Sequence, residues 1–350
     1  MILPGSQLYN LIMLALGMLC LGTWANTFRM TSKWRFELYC FDFAIGTILA
    51  AILIGLTFGS LGWDGFALND EIFRVAGKRQ EAIGMGAGMV FSFGNMLILG
   101  ALSIAGVTVA YMIGIGTMLT AGMVITYFTS PSGSGPMLAA GAGLFLVSAV
   151  LLAVTSRLNS IARYITLARE GKTKSTRKSV SVKGLVLAFL GGIVASICFP
   201  LMNAAREGEN GLGPYSLGLF FAAGVGVSTA MCSLFFMNLP VQGDPIEVAA
   251  YFKGKARSHQ LGILGGILFY LGLVSLLVVA RAEGKSIVPP ATIRALTLAA
   301  VAVGVLWGIV RWNEFEGASG KLKTMLVVAL FLFVVGAAGL SAAAGISTAG

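Results

Sequence analysis

Ten stretches of about twenty residues, almost free of charge, run along the chain, and this pattern restricts the fold more than any other feature. A helix rises 1.5 Å per residue, so about 20 apolar residues cross the roughly 30 Å hydrocarbon core of a bilayer. The stretches are 8–24, 38–58, 84–104, 107–128, 137–155, 184–204, 215–237, 261–280, 287–309 and 324–345, and eight of them hold no charged residue. Asp42 and Arg294 are the exceptions. The runs are continuous and rich in Gly and Ala, without the alternating period of an outer-membrane barrel strand. The expected fold class is therefore all-α integral membrane, with ten transmembrane helices. Composition agrees, because 57% hydrophobic and 11% charged residues cannot coat a water-facing surface on 350 residues, where soluble domains carry about 25% charge.

Ten crossings put both termini on one side. Connections 1–2, 3–4, 5–6, 7–8 and 9–10 hold 17 of the 24 Lys and Arg residues, and such a bias places them in the cytoplasm with the termini outside. No base precedes the first apolar run, which reads as a retained helix rather than a cleaved signal. The strongest basic segment, 158–183, lies between a first set of five spans in 1–157 and a second in 184–350. It reads as a central loop beside anionic lipid. Its Gly171-Lys172-Thr173 is not a phosphate loop, since Thr166 stands where the leading glycine belongs and no strand precedes it.

The two halves resemble each other. A shift of 178 residues brings Gly84, Ala87, Gly88, Phe91 and Gly94 onto Gly262, Gly265, Gly266, Phe269 and Gly272, and Cys20 onto Cys198. A shift of 177 brings Asn26-x-x-Arg29 onto Asn203-x-x-Arg206. Five spans per half is an odd number, so a second copy inserts upside down, the 5+5 inverted repeat of secondary transporters.

Polar side chains on apolar helices are retained at a cost when they face a cavity or one another. Asn26 and Asn203 offer two donors and an acceptor each, and Trp24 offers a flat face; capping a helix end is the competing role for Asn26. Pro200 lacks an N–H and kinks span six. Asn95, Tyr111 and Tyr270 are further cavity candidates, with interhelical bonding as the alternative. Arg294 either meets solute or snorkels to the interface. Asp42, the one carboxylate inside a span, is a candidate proton carrier, because burial favours its neutral form. It also stands where a helix dipole favours an anion, within reach of Lys33 or Arg35. Trp34, Trp307 and Trp312 suit an interfacial belt. The only histidine, His259, falls in a polar stretch, which leaves no relay of buried histidines.

The four cysteines lie in or beside apolar runs without zinc spacing, and no Walker pair, H-E-x-x-H or nucleophile–histidine pair occurs. Hydrolysis and primary pumping lack their chemistry, and no metal, cofactor or nucleic-acid partner is expected.

Trp24-x-Asn26, Lys33-Trp34, Phe36-Glu37 and Asp42-Phe43 with Gly46 resemble the first loop and second helix of the drug/metabolite transporter superfamily. The branch is the one that holds the rhamnose–proton symporter, the bacterial glucose/ribose porters and the plant ureide permeases. Trp307-Gly308 and Trp312-Asn-Glu-Phe-Glu-Gly317 resemble its closing motif, with Asn313 in place of a lysine. The resemblance implies ten helices, alternating access and a cavity drawn from helices one, three, four, six, eight and nine. Those helices supply Trp24, Asn95, Tyr111, Asn203, Tyr270 and Arg294. Plant ureide permeases carry a longer central loop with a nucleotide-like motif, which this chain lacks, so the ureide assignment is the weaker.

The expectation is a secondary-active permease of a bacterial inner membrane for a small polar solute, a sugar before a ureide or nucleobase, with protons coupled through Asp42. Arg29, Lys33, Arg35 and residues 157–183 would meet anionic lipid. Export, uncoupled flux and a homodimer stay open, and the rival of another class is a non-transporting scaffold or lipid-handling component.

Overall fold

The structure is a computed structural model that describes residues 1–31, 34–169, 182–281, 284 and 287–344. Ten helices are long and apolar enough to cross a membrane: α1 (Gln7–Met30), α2 (Phe36–Leu56), α3 (Lys78–Ala105), α4 (Val107–Thr129), α5 (Gly135–Arg169), α6 (Val182–Arg206), α7 (Pro214–Asn238), α8 (Ala256–Val279), α9 (Pro290–Arg311) and α10 (Gly320–Ala342). Every apolar run of the sequence falls on one of them. Large apolar side chains such as Leu53, Phe128, Val150 and Phe331 point outward, as they do where lipid rather than water covers the surface. The chain is a multi-pass membrane protein. α4 lies deepest: 78% of its most apolar window is buried, against 33% for α1, α5 and α10.

Helix ends follow local chemistry. α7 opens on Pro214 and α9 on Pro290, first-turn positions where the missing N–H goes unnoticed. α6 breaks at Ile197, because Pro200 removes the donor its preceding turn needs. α3 stops and α4 starts across Gly106, whose φ of 102° suits only glycine. Two orphan N–H groups at that start, Val107 and Thr108, donate to the Glu314 carboxylate at 2.8 and 2.9 Å. α5 continues to Arg169, so the first part of the basic segment 158–183 is helix rather than the expected loop. Its charges do not end the helical ladder. Residues 170–181, with the Gly171-Lys172-Thr173 fragment, lie outside the described residues.

The packing repeats at the shift of 178. α2 starts at Phe36 and α7 at Pro214; α3 starts at Lys78 and α8 at Ala256. Gly46 of α2 sits against the Ile263 carbonyl of α8, and Gly224 of α7 sits in the same way against the Met85 carbonyl of α3. Gly266 meets the Phe43 carbonyl and Gly88 meets the Phe221 carbonyl. All four pairs interchange under one shift, and none has room for a Cβ. Backbones in such contact gain dispersion from many atoms at once, which is what small residues supply between membrane helices. At the centre Phe91 and Phe269, also 178 apart, stack with centroids 4.6 Å apart. Phe221 flanks the first at 5.3 Å and Phe43 the second at 5.4 Å.

Candidate functional site

Beside the phenylalanine stack lies a cavity of about 60 Å³ walled by α1, α3, α4, α6, α7, α8 and α9. It is room for roughly four water molecules and well below the roughly 300 Å³ of a typical ligand site. Trp24, Phe91, Phe199, Phe221 and Phe269 give it aromatic walls, and Asn95 and Thr297 give it polar ones. The Trp24 ring pairs with Phe43 at 5.1 Å and Phe269 at 5.9 Å. Thr297 donates back to its own helix at Ile293. Asn95 is buried, and among the described residues its amide makes no hydrogen bond to the protein. The break in α6 and the π turn Ala110–Ile115 of α4 adjoin this wall.

Trp24 and Asn95 are thus brought together, and the other sequence candidates are not. Asn26 accepts from the Trp312 indole at 2.8 Å and donates to the Thr23 carbonyl at 3.2 Å, a structural closure of the α1 end. Tyr111 wedges between α1 and α9. Its hydroxyl takes the Ala25 N–H at 3.3 Å, and its ring fills the gap left by Gly304. Tyr270, one position past the cavity residue Phe269, points about 100° away and lies against Gly218 with its hydroxyl unpartnered. Asn203 and Arg294 are half-buried and outside the cavity wall. For Asn26 and Tyr111, groups of neighbouring helices supply the polar partners.

Two of the junction cations have partners within the protein. Arg35 holds Glu37 through two bonds of 2.7 and 3.2 Å and reaches the Asp244 carbonyl at 2.6 Å. Arg29 lies 5.5 Å from the Trp312 ring centroid. Both have protein partners, and Lys33 lies outside the described residues. Trp307 and Trp312 likewise bind α1, through Thr23 and Asn26.

Asp42 takes partners that the sequence did not offer. Its Oδ1 accepts the Tyr251 hydroxyl at 2.6 Å and faces His259 Nδ1 at 2.8 Å, while Arg35 is committed to Glu37. Tyr251 sits on the short helix Ala249–Phe252 between α7 and α8, and His259 in the first turn of α8. His259 is therefore not in a loop. Burial, then the hydrogen bond and charge of Asp42, push the Tyr251 phenol above its ordinary range, so it stays a donor. Trp34 completes the cluster, its ring 5.1 Å from His259. Its N–H stands near the Asp42 carboxylate without forming a hydrogen bond. A unique histidine and a unique intramembrane carboxylate were the available signal for this pair.

A second carboxylate works at the opposite ends of the helices. Glu71, on the connector between α2 and α3, is buried and accepts the Gly213 N–H and, at 2.8 Å, the Ser216 hydroxyl at the start of α7. Among the described residues no group of three or more His, Cys, Asp or Glu is placed to hold a metal.

The ureide permease family model matches residues 39–177. Ureide permease 2 of Arabidopsis thaliana is 22% identical over 94% of this chain and 96% of its own. Ureide permease 1 of the same plant is 22% identical over 94% and 95%. A solved crystal structure with 18% identity superposes with a TM-score of 0.52 over 95% of this chain and 96% of its own, a likeness of fold. The missing loop motif thus does not separate the chain from the ureide permeases, against the sequence expectation.

Proposed function

We propose that this chain is a membrane permease for a small planar solute with amide-type hydrogen-bonding edges, a ureide or nucleobase rather than a sugar. The aromatic wall of the central cavity carries the reading. Trp24, Phe91, Phe221 and Phe269 line it with aromatic rings, and Asn95 is one amide free to pair with an N–H and a C=O on one edge of a ring. A sugar would bring several hydroxyls to a wall with few polar partners, and each unpaired buried hydroxyl costs about 1–3 kcal/mol. Similarity to the plant ureide permeases supports the same choice.

The halves 1–157 and 184–350 act in this reading as inverted five-helix repeats, joined through 158–183, that rock about the central stack. The paired glycine contacts support that division, and the small cavity fits a state between openings. This is the architecture the drug/metabolite transporter resemblance implies, in a bacterial inner membrane.

Counterflow into proteoliposomes tests it. Vesicles preloaded with allantoin or uracil should draw in the labelled compound, while glucose and rhamnose exchange at the rate of empty vesicles. Exchange of the sugars, with none of either ring compound, would overturn the reading.

A further inference from the structure

We propose that Asp42 and His259 form a single proton-binding site, closed by Tyr251, through which proton movement is coupled to solute transport. The inference rests on the permease reading above. It names the residues that would carry the proton.

The geometry fixes the protonation chemistry. An ionised carboxylate only accepts, and Asp42 Oδ1 already takes the Tyr251 O–H. With Asp42 ionised, the imidazole donates through Nδ1–H across its 2.8 Å contact, and Nε2 is left to receive a proton. Nε2 lies against Gly254, where any Cβ would cover it. The His259 side chain is 24% exposed and the Asp42 side chain 1%, so water reaches the ring and not the acid. Asp42 Oδ2 is buried without a partner. One proton taken from water at Nε2 turns a pair of net charge −1 into a neutral imidazolium–carboxylate pair, and no other bond changes.

Neutrality is the coupling device. A net charge held among apolar helices costs several kcal/mol, whereas a hydrogen-bonded ion pair largely cancels it. The pair also bridges α2 and α8, helices from different halves, and the connector that supplies Tyr251. Loading therefore favours the arrangement in which these elements stay docked. Other charged groups nearby are committed or exposed. On α2, Glu37 is bound by Arg35, and Tyr39 is bonded to Thr27; Cys40 is buried. Lys253, Lys255 and Arg257, around the start of α8, are exposed. The first half offers no counterpart, since 178 residues before His259 stands Glu81, paired with Lys78. At the place of Tyr251 stands the exposed Phe73.

A single histidine makes the test direct. With 15N-labelled histidine, the purified full-length protein should give one imidazole signal, in the Nδ1–H form when neutral. Acidification should convert it to the imidazolium form. An Nε2–H tautomer, or a signal unmoved by pH, would overturn the proposal. In proteoliposomes His259→Gln and Asp42→Asn should each lower the ratio of pH-gradient-driven uptake to counterflow of allantoin at least tenfold. An unchanged ratio in folded variants would also overturn it. If the wild type shows no counterflow of any solute, the permease reading fails, and the histidine spectrum still decides whether the proton site exists.

Discussion

The connectors after α2 and after α7 occupy matching places in the two halves, and each clasps the second helix of the other half with a carboxylate. They differ in the chemistry of the clasp. Glu71 reaches across to α7, where its oxygen takes the Gly213 N–H and the Ser216 hydroxyl, and the positive end of the helix favours its charge. On the other face the carboxylate belongs to the clasped helix α2, the connector supplies Tyr251 and the first turn of α8 supplies His259. The first clasp is built from donors that never titrate. The second contains an imidazole, so it answers to protons, and a repeat that is symmetric in packing becomes asymmetric in chemistry.

The largest expected effect comes from breaking the permanent clasp. Glu71→Ala leaves two buried donors without their charged acceptor, at about 1.5–3 kcal/mol per bond. It should lower the melting temperature of the detergent-solubilised protein by more than any change in the other clasp. Next come the glycine crossings. Gly88→Ala and Gly266→Ala each force a methyl onto a carbonyl and should cost about 1–3 kcal/mol. Equal losses in melting temperature would fit matched halves, and a loss in one alone would break the comparison.

Trp24→Phe keeps an aromatic wall but removes indole area and an N–H, and should weaken solute binding about tenfold, near 1.4 kcal/mol, as read by counterflow affinity. The smallest effect is Tyr251→Phe, which removes one donor to Asp42 and leaves His259, for about 1 kcal/mol. The folded Tyr251 phenol is raised above its unfolded value. Its contribution is therefore present below about pH 10 and is lost as pH rises through the higher folded value. Stability of the wild type should thus fall faster than that of Tyr251→Phe in strong alkali, as urea titrations at a series of pH values would show.

The ten helices were legible because length and hydropathy alone decide a membrane span, and the paired glycine contacts because those glycines recur at one spacing. The helical stretch from Arg157 to Arg169 was not, since charge signals water and water does not end a helix. Asp42 seemed matched to Lys33 or Arg35 because sequence shows only near neighbours. Its partners stand 209 and 217 positions away, on elements that only the packing brings to α2. His259 read as loop because its segment is polar, yet that segment is the first turn of α8. Tyr111 and Tyr270 show the same limit: a polar group in an apolar helix announces a contact, and the helix rotation decides whether that contact is solute or protein. Trp24 and Asn95 reach the cavity for the same geometric reason.

The carboxylate that caps α4 lies more than two hundred residues downstream, in the turn after α9. A ribosome that has threaded the first five helices into the membrane has therefore made a bundle whose most enclosed member still has bare amide groups at its head. Those groups wait for Glu314, so the first half cannot mature as a separate unit. Truncation anywhere before that turn should leave a nascent chain that quality-control proteases can still recognise.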